Sequence, residues 1–592
     1  MPGLSLLRTP DTESHRTFEA LLDELLYRSD YSKRHLFSTE DLRLDSTDYP
    51  SYPIETFEND SFFVALEGRL YATEDVEGAL FDVATWLHSG NDERIRRWLL
   101  DRDAEFVLVV VDKETADVVV LTDILGRLPV YLFREDETVL VSRELGSVLD
   151  FTTPTMDSMG VAQMLLFGYP LGERTLYDGI HQLEPASVIQ LSRGSVSVEQ
   201  IHQYRFDRTE RDDRSVSENA AVLTDRFVDA CANRSTGGTN VVSLSGGLDS
   251  RAIASCYAKN DLPFVAATYA RENEESEADI ARAVMDELDA PWDVYELSPP
   301  TGAEVRTLLD MKRGMNYLGM AYILEFFSRL RSDYGSDMTY VTGDGGDKIF
   351  PAHSRGFTSV DEVVSYLLKD ASRFDVETVA GLTDVPEEAI VDEMYRTIED
   401  YPGSDPDHLY TLFLFRERGA KWLFHGEDRN RYYFWSVAPF WSWPMVEYAM
   451  EVPDDQKRRE RLYETFIRSF SDSVVDIEYA NFGASLGSIE YDVKRGAYDF
   501  LGRYPAVRDA VISLVRSGRT NEYDPTVATV LQRQATSNGI GEVLSHEAVS
   551  TIASDRTSCN STQAYNLLTV TTAVEAVYGR STLDAFEEYS FG

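Results

Sequence analysis

The sequence predicts two unlike halves: an α+β region with antiparallel sheets, then an α/β region on a parallel sheet with a helical C-terminal part. Short β-branched and aromatic runs crowd residues 60–200. Strands and helices alternate after about residue 217, and two of those strands end in glycine-rich turns. At 592 residues the chain also exceeds what one core serves, so more than one domain is expected.

In the first half, SFFVALEGRLYA, EFVLVVVD, DVVVLTD, PVYLF and TVLVS read as strands because charged or turn residues separate them. Helices are expected at about 74–100 and 157–168. The charged, aperiodic run YRFDRTERDDRS reads as a linker, which sets boundaries of 1–205, 206–216 and 217–592. Beyond it come an amphipathic helix (SENAAVLTDRFVDACANR), a strand (VVSL), a second strand (PFVAATYA), a helix (SEADIARAVMDEL) and a third strand (MTYVTGDGG). Residues 360–592 read as mostly helical, with the aromatic run YYFWSVAPFWSWP as core.

The formal net charge of −46 argues against broad binding to nucleic acid or anionic membrane. No run reaches membrane length, and the three cysteines form no CxxC pair or metal spacing. A cytoplasmic protein is expected. Acid excess without disorder is the composition of proteins from salt-accumulating cells, so a halophilic origin is the expectation.

The stretch VVSLSGGLDS, residues 241–250, places a short strand, a glycine turn and a helix start in succession. That order builds a phosphate cradle: Gly246 and Gly247 let the backbone curl, and the helix start offers unpaired N–H groups. The GxxxxGK[ST] loop is absent. A second glycine-rich strand end, YVTGDGGDKIF, follows about a hundred residues later.

SGGLDS resembles the pyrophosphate loop of the ATP pyrophosphatases, and YVTGDGGDKIF resembles the SGEGxDELF of the asparagine synthetase family within them. TDILGRLPVYLF, LLFGYPLGERTLYDGIHQLEPASVIQL and APFWSWPMVEYAMEVPDDQK are also similar to segments of that family, so the resemblance covers most of residues 1–490. Some relatives, such as the β-lactam synthetases, lack glutaminase chemistry. The resemblance implies an N-terminal-nucleophile, class II glutaminase-like domain followed by an ATP-pyrophosphatase domain, with a homodimer left open.

It also implies ATP and Mg2+ as cofactors and a small carboxylate plus ammonia or another amine as substrates. The nucleotide cradle would comprise Leu244, Ser245, Gly246, Gly247, Asp249, Ser250, Ala267, Thr342 and Gly343. Asp249 and Asp347 are the candidate metal ligands, Asp344 and Lys348 the candidate catalytic residues. Adenylation of an acid expels pyrophosphate, and that leaving group needs N–H and hydroxyl donors together with a divalent cation.

The sequence also departs from the family. It reads MPGL where the family has MCGI, so exposure of Pro2 offers no thiol for a thioester. Glu67-Gly68-Arg69 stands for the NGE that grips glutamine; Arg43 and Asp92 could still sit where the family binds the amino acid's charged ends, but surface charges are the favoured reading. Glu464 replaces a family lysine, with Lys457 and Arg461 nearby and Asp428 as the nearest remnant of other lost acids. Two readings stand: a ligase without glutaminase activity, or a catalytically inactive nucleotide-binding scaffold. The retained pyrophosphate loop favours the ligase.

Overall fold

The computed structural model describes residues 2–206, 213–236, 238–271, 275–503, 522–579, 586 and 589–591. Of the linker expected at 206–216, residues 207–212 lie outside these described residues.

The first half carries two six-stranded antiparallel sheets. One orders its strands Ile180–Gln182, Tyr131–Glu135, Thr138–Ser142, Gly3–Arg8, Leu42–Asp48 and Ser32–Ser38. The other runs Ser195–Gln200, Ser187–Ser192, Val118–Thr122, Ala104–Asp112, Phe62–Leu70 and Ile54–Glu58. The expected helices are present as Val76–His88, Asp92–Leu100 and Ser158–Phe167. Strand structure begins well before residue 60, however. LRLDSTD forms a buried strand although its polar residues suggest a loop, because Asp45 and Asp48 find Arg43, His35 and Arg34 as partners.

The second half holds a five-stranded all-parallel sheet in the order Trp292–Leu297, Val265–Arg271, Asn240–Ser243, Thr339–Val341, Trp435–Val437. Asn240–Ser243 lies at the centre; the next two strands in sequence add on one side, and the last two on the other. Strand order therefore reverses between Asn240–Ser243 and Thr339–Val341, and the crevice at their carboxyl ends is where such sheets take ligands. Both glycine-rich turns leave from that crevice.

The aromatic run at 432–444 is core: Tyr432, Tyr433, Phe434, Trp435, Phe440, Trp441 and Trp443 are all buried. The last long helix, Ser561–Tyr578, docks on the first half, where Asn566 Nδ2 donates to the carbonyls of Met164 and Leu165 at 2.8 and 3.0 Å. Among the described residues no helix is long and apolar enough to cross a membrane.

The halves also meet through buried charge. Glu67, Glu105, Arg127 and Arg143 of the first half face Lys312, Glu427, Asp428 and Arg431 of the second, four charges of each sign. Arg143 binds Glu67 at 2.9 Å and Asp428 at 2.6 Å; Lys312 takes the other oxygen of Asp428. Arg127 and Arg431 share Glu105 and Glu427.

Candidate functional site

After Ser243 the chain turns through Leu244–Gly247 and enters helix Leu248–Lys259, whose N-cap Gly247 supplies no side-chain cap. Apolar burial of Ala252, Ile253, Ala254, Cys256 and Tyr257 fixes that helix under the sheet, so its start is aimed at the crevice. Leu244 N donates to Ala267 O at 2.9 Å, holding the turn beside the neighbouring strand. The two serines close the loop on itself: Ser245 N donates to Ser250 Oγ at 3.0 Å, and their hydroxyls lie 3.1 Å apart. Gly247 N reaches Ser245 Oγ at 3.2 Å.

The second turn meets the first directly. Asp347 N donates to Asp249 Oδ2 at 2.9 Å, and Tyr463 donates to Asp249 Oδ1 at 2.6 Å. A Cβ on Gly343 would lie 2.8 Å from Ser250 N, and one on Gly346 only 2.6 Å from Asp249 Cγ. Gly343 is needed because the two backbones pass against each other there, and Gly346 because the Asp249 carboxylate and the Tyr463 hydroxyl occupy the space a Cβ would take. Asp249 is therefore no helix cap; its carboxylate bridges the two strand ends.

The electrostatics follow from this crowding. Burial, then the neighbouring Asp347, push Asp249 up to about 7, against the opposing hydrogen bonds from Tyr463 and the Asp347 backbone and the charge of Lys348. Burial, then Glu427 and Asp347, push Asp344 up to about 6, with Arg429 opposing. Lys348 is buried and pairs with Asp347, whose side chain stays 59% exposed. Thr342 is buried beside Asp344 and takes the Val437 carbonyl through its N–H at 2.9 Å.

The predicted residues Leu244, Ser245, Gly246, Gly247, Asp249, Ser250, Ala267, Thr342, Gly343, Asp344, Asp347 and Lys348 thus gather at one end of the parallel sheet. Asp344 and Lys348, each standing for a family glutamate, are thus in the site, whereas the other residues weighed against the family lie elsewhere. Glu464 pairs with Arg468 at 3.0 Å on its own helix, Lys457 is buried and Arg461 is exposed. Asp428 belongs to the buried charges between the halves. Arg43 bridges Glu19 and Asp45, and Asp92 is exposed in the first turn of its helix.

Two residues of the site escape sequence reasoning. Tyr463 reaches Asp249 from helix Arg461–Arg468, held by stacking on Phe350 with centroids 4.1 Å apart and planes 3° from parallel. Nothing local marks it. Arg251 pins the loop by donating to the carbonyls of Gly246, Val474, Ile477 and Glu478. A guanidinium on the buried face of that helix, beside Leu248, Ala252 and Ala254, is a signal that could have found it.

The site also fits a magnesium ion. Mg2+ uses one or two carboxylates and keeps its other positions for water and substrate phosphate. Asp249 and Asp347 are two such groups, brought together at a cost that a cation would relieve. Among the described residues no cluster of three or more His, Cys, Asp or Glu could hold a metal without such substrate oxygens.

Residues 44–205 match the model of a glutamine amidotransferase domain, and residues 223–363 match that of asparagine synthase. No curated protein matches the chain. Among solved structures, the glutamine phosphoribosylpyrophosphate amidotransferase of B. subtilis, complexed with ADP and GMP, is 9% identical over 62% of this chain and 89% of its own, with a TM-score of 0.24. The NMN synthetase of Francisella tularensis is 16% identical over 35% of this chain and 95% of its own, at 0.19. An allosteric regulatory enzyme of purine biosynthesis is 9% identical over 69% and 98%, at 0.22. Overlaps this weak leave the assignment to the two family models, whose matched stretches together make up just over half of the chain. With a glutamine amidotransferase domain followed by an asparagine synthase domain, the chain belongs to the asparagine synthetase-like family.

Proposed function

We propose that the chain is an ATP- and Mg2+-dependent ligase that adenylates a carboxylic acid and passes the acyl group to ammonia or another amine, without glutaminase activity. The observation that carries the reading is the contact of Asp347 N with Asp249 Oδ2, which joins two glycine-rich strand ends across the switch point of the sheet. The asparagine synthase match supports ligase chemistry of this general class.

In this reading the N–H groups after Leu244 and the hydroxyls of Ser245 and Ser250 hold the leaving pyrophosphate. Arg251 keeps that loop rigid through its carbonyl contacts. Asp249 and Asp347 would hold Mg2+, which neutralises charge on the triphosphate and the departing oxygens. Lys348 holds Asp347 in place, and Tyr463 orients Asp249. Asp344, half-neutral near pH 6, accepts a proton from the attacking amine. Residues 1–205 serve as scaffold, 206–216 as linker and 217–592 as synthetase.

Loss of glutaminase activity draws on the start of strand Gly3–Arg8. Glu67 there accepts from Leu4 N at 2.8 Å and from Arg143 Nε at 2.9 Å, and a Cβ on Gly3 would meet Arg143 Cβ at 2.6 Å. An ion pair therefore fills the space beside that strand. Cys231, Cys256 and Cys559 are all buried in the second half, the first two on helices Val216–Arg234 and Leu248–Lys259. The acidic composition, with a net charge of −46, supports a cytoplasm rich in salt.

The test is pyrophosphate release from ATP in molar KCl, with amino acids and uronic acids offered alongside ammonium. Release that depends on one acid, with ammonium but not glutamine as nitrogen donor, is expected. ATP binding without release under any acid would favour the inert scaffold, the reading that Glu464 in place of a lysine supports.

A further inference from the structure

Helix Phe424–Asn430 carries three consecutive charged residues with different fates. Glu427 and Asp428 are fully engaged with cations between the two halves. Arg429 turns the other way, toward the carboxyl end of the parallel sheet, and is only 6% exposed. Its Nη2 donates to Asn430 Oδ1 at 3.0 Å, while Nε is buried with no partner. Among the described residues no carboxylate lies within ion-pairing reach of its guanidinium. A guanidinium has five N–H donors, and burying one with so few acceptors is costly unless an anion completes the set.

The surroundings define the space that this cation faces. Asp344, Tyr269, Tyr322 and Tyr340 are near enough to influence its charge, and Phe327 lies under it at 5.6 Å. Tyr269 lies two residues after Ala267 on strand Val265–Arg271, and its ring is 5.8 Å from that of Tyr322. Tyrosine rings therefore stand beside Arg429 at the nucleotide side of the sheet, with the Arg271 guanidinium 4.4 Å from the centre of the Tyr322 ring. The triphosphate is accounted for by the loop at 244–250, and Asp344, standing between that turn and Arg429, would repel a polyanion. A single carboxylate fits the planar fork of the guanidinium and, with one charge, meets a smaller repulsion from Asp344.

Building on the ligase reading above, we infer that Arg429 is the carboxylate-recognising residue of the acid subsite, and that the acid it takes has a ring body lying against Tyr269 and Tyr322. Sugar acids and aromatic acids share that chemistry. The guanidinium binds the carboxylate in the plane of its fork, and the tyrosine faces hold the ring by stacking. The acid's carboxylate would then lie beside Asp344, at the same sheet end as the two glycine-rich turns.

The experiment measures ATP–pyrophosphate exchange with glucuronate, 4-hydroxybenzoate, phenylalanine and aspartate, using wild type, Arg429→Gln, Arg429→Lys and Tyr322→Ala. A ring acid is expected to support exchange better than aspartate. Arg429→Gln should raise KM for that acid about tenfold to hundredfold while KM for ATP stays within about twofold. Arg429→Lys should recover part of the loss, and Tyr322→Ala should raise the same KM about three- to tenfold. A rise in KM for ATP alone, or a preference for aspartate that Arg429→Gln leaves untouched, overturns the inference. Calorimetry of the same acids with a non-hydrolysable ATP analogue keeps the two readings apart. Ring-acid binding lost in Arg429→Gln, without exchange in wild type, upholds the subsite and sinks the ligase; no ring-acid binding to wild type sinks the subsite.

Discussion

Asp428 and Arg429 are neighbours in sequence and opposites in circumstance. Asp428 belongs to the buried charges between the halves, where every acid has a cation and every cation an acid. Burial opposes its ionisation, yet Lys312 and Arg143 hold its carboxyl well below the usual carboxylate range. At the sheet end the balance fails: burial and Asp347 push Asp249 up, burial and Glu427 push Asp344 up, and burial pulls Arg429 down. Charges that satisfy each other hold a fold together. Charges left in want of partners mark where ligands belong.

That contrast can be broken in several ways, beginning with the largest effect. Asp428→Ala leaves Lys312 and Arg143 without that shared acid, and breaking a buried pair costs about 3–5 kcal/mol, read as unfolding free energy in a urea titration. A loss under about 1 kcal/mol would mean the seam is not closed in solution.

Acid should find the same residue next. A carboxyl whose folded pKa is depressed stabilises the fold above its unfolded value, near pH 4, and the contribution fades as pH falls toward the folded value. Wild-type unfolding free energy should therefore drop below about pH 4, and Asp428→Asn should show a shallower drop. Equal slopes would contradict the assignment. The smallest effect is expected at the neighbour. Arg429→Leu breaks no ion pair, so its stability should stay within about 1 kcal/mol of wild type, although it alters the candidate acid subsite.

The two halves differed in how plainly the sequence announced them. SGGLDS and YVTGDGGDKIF were legible because glycine at a strand end has few other uses, and the structure joins both turns. The alternation of strand and helix likewise predicted the parallel sheet. The charged seam was illegible because its partners are far apart in sequence: Arg143 and Asp428 are separated by 285 positions, and a lone Asp or Arg reads as surface. Tyr463 was hidden for the same reason, since only the fold brings its helix to Asp249. The early strand at 42–48 was missed because its polar side chains are buried in ion pairs rather than exposed.

The central claim is that Asp249 and Asp347 form one half of a magnesium–nucleotide site. Calorimetric titration of ATP, with and without Mg2+, into wild type, Asp249→Asn and Asp347→Asn tests it most directly. Tight binding that requires Mg2+ and weakens at least about thirtyfold in each variant is predicted, the loss of one charged ligand being worth about 2 kcal/mol or more. Equal affinity for ATP in all three proteins, or binding indifferent to Mg2+, would contradict it.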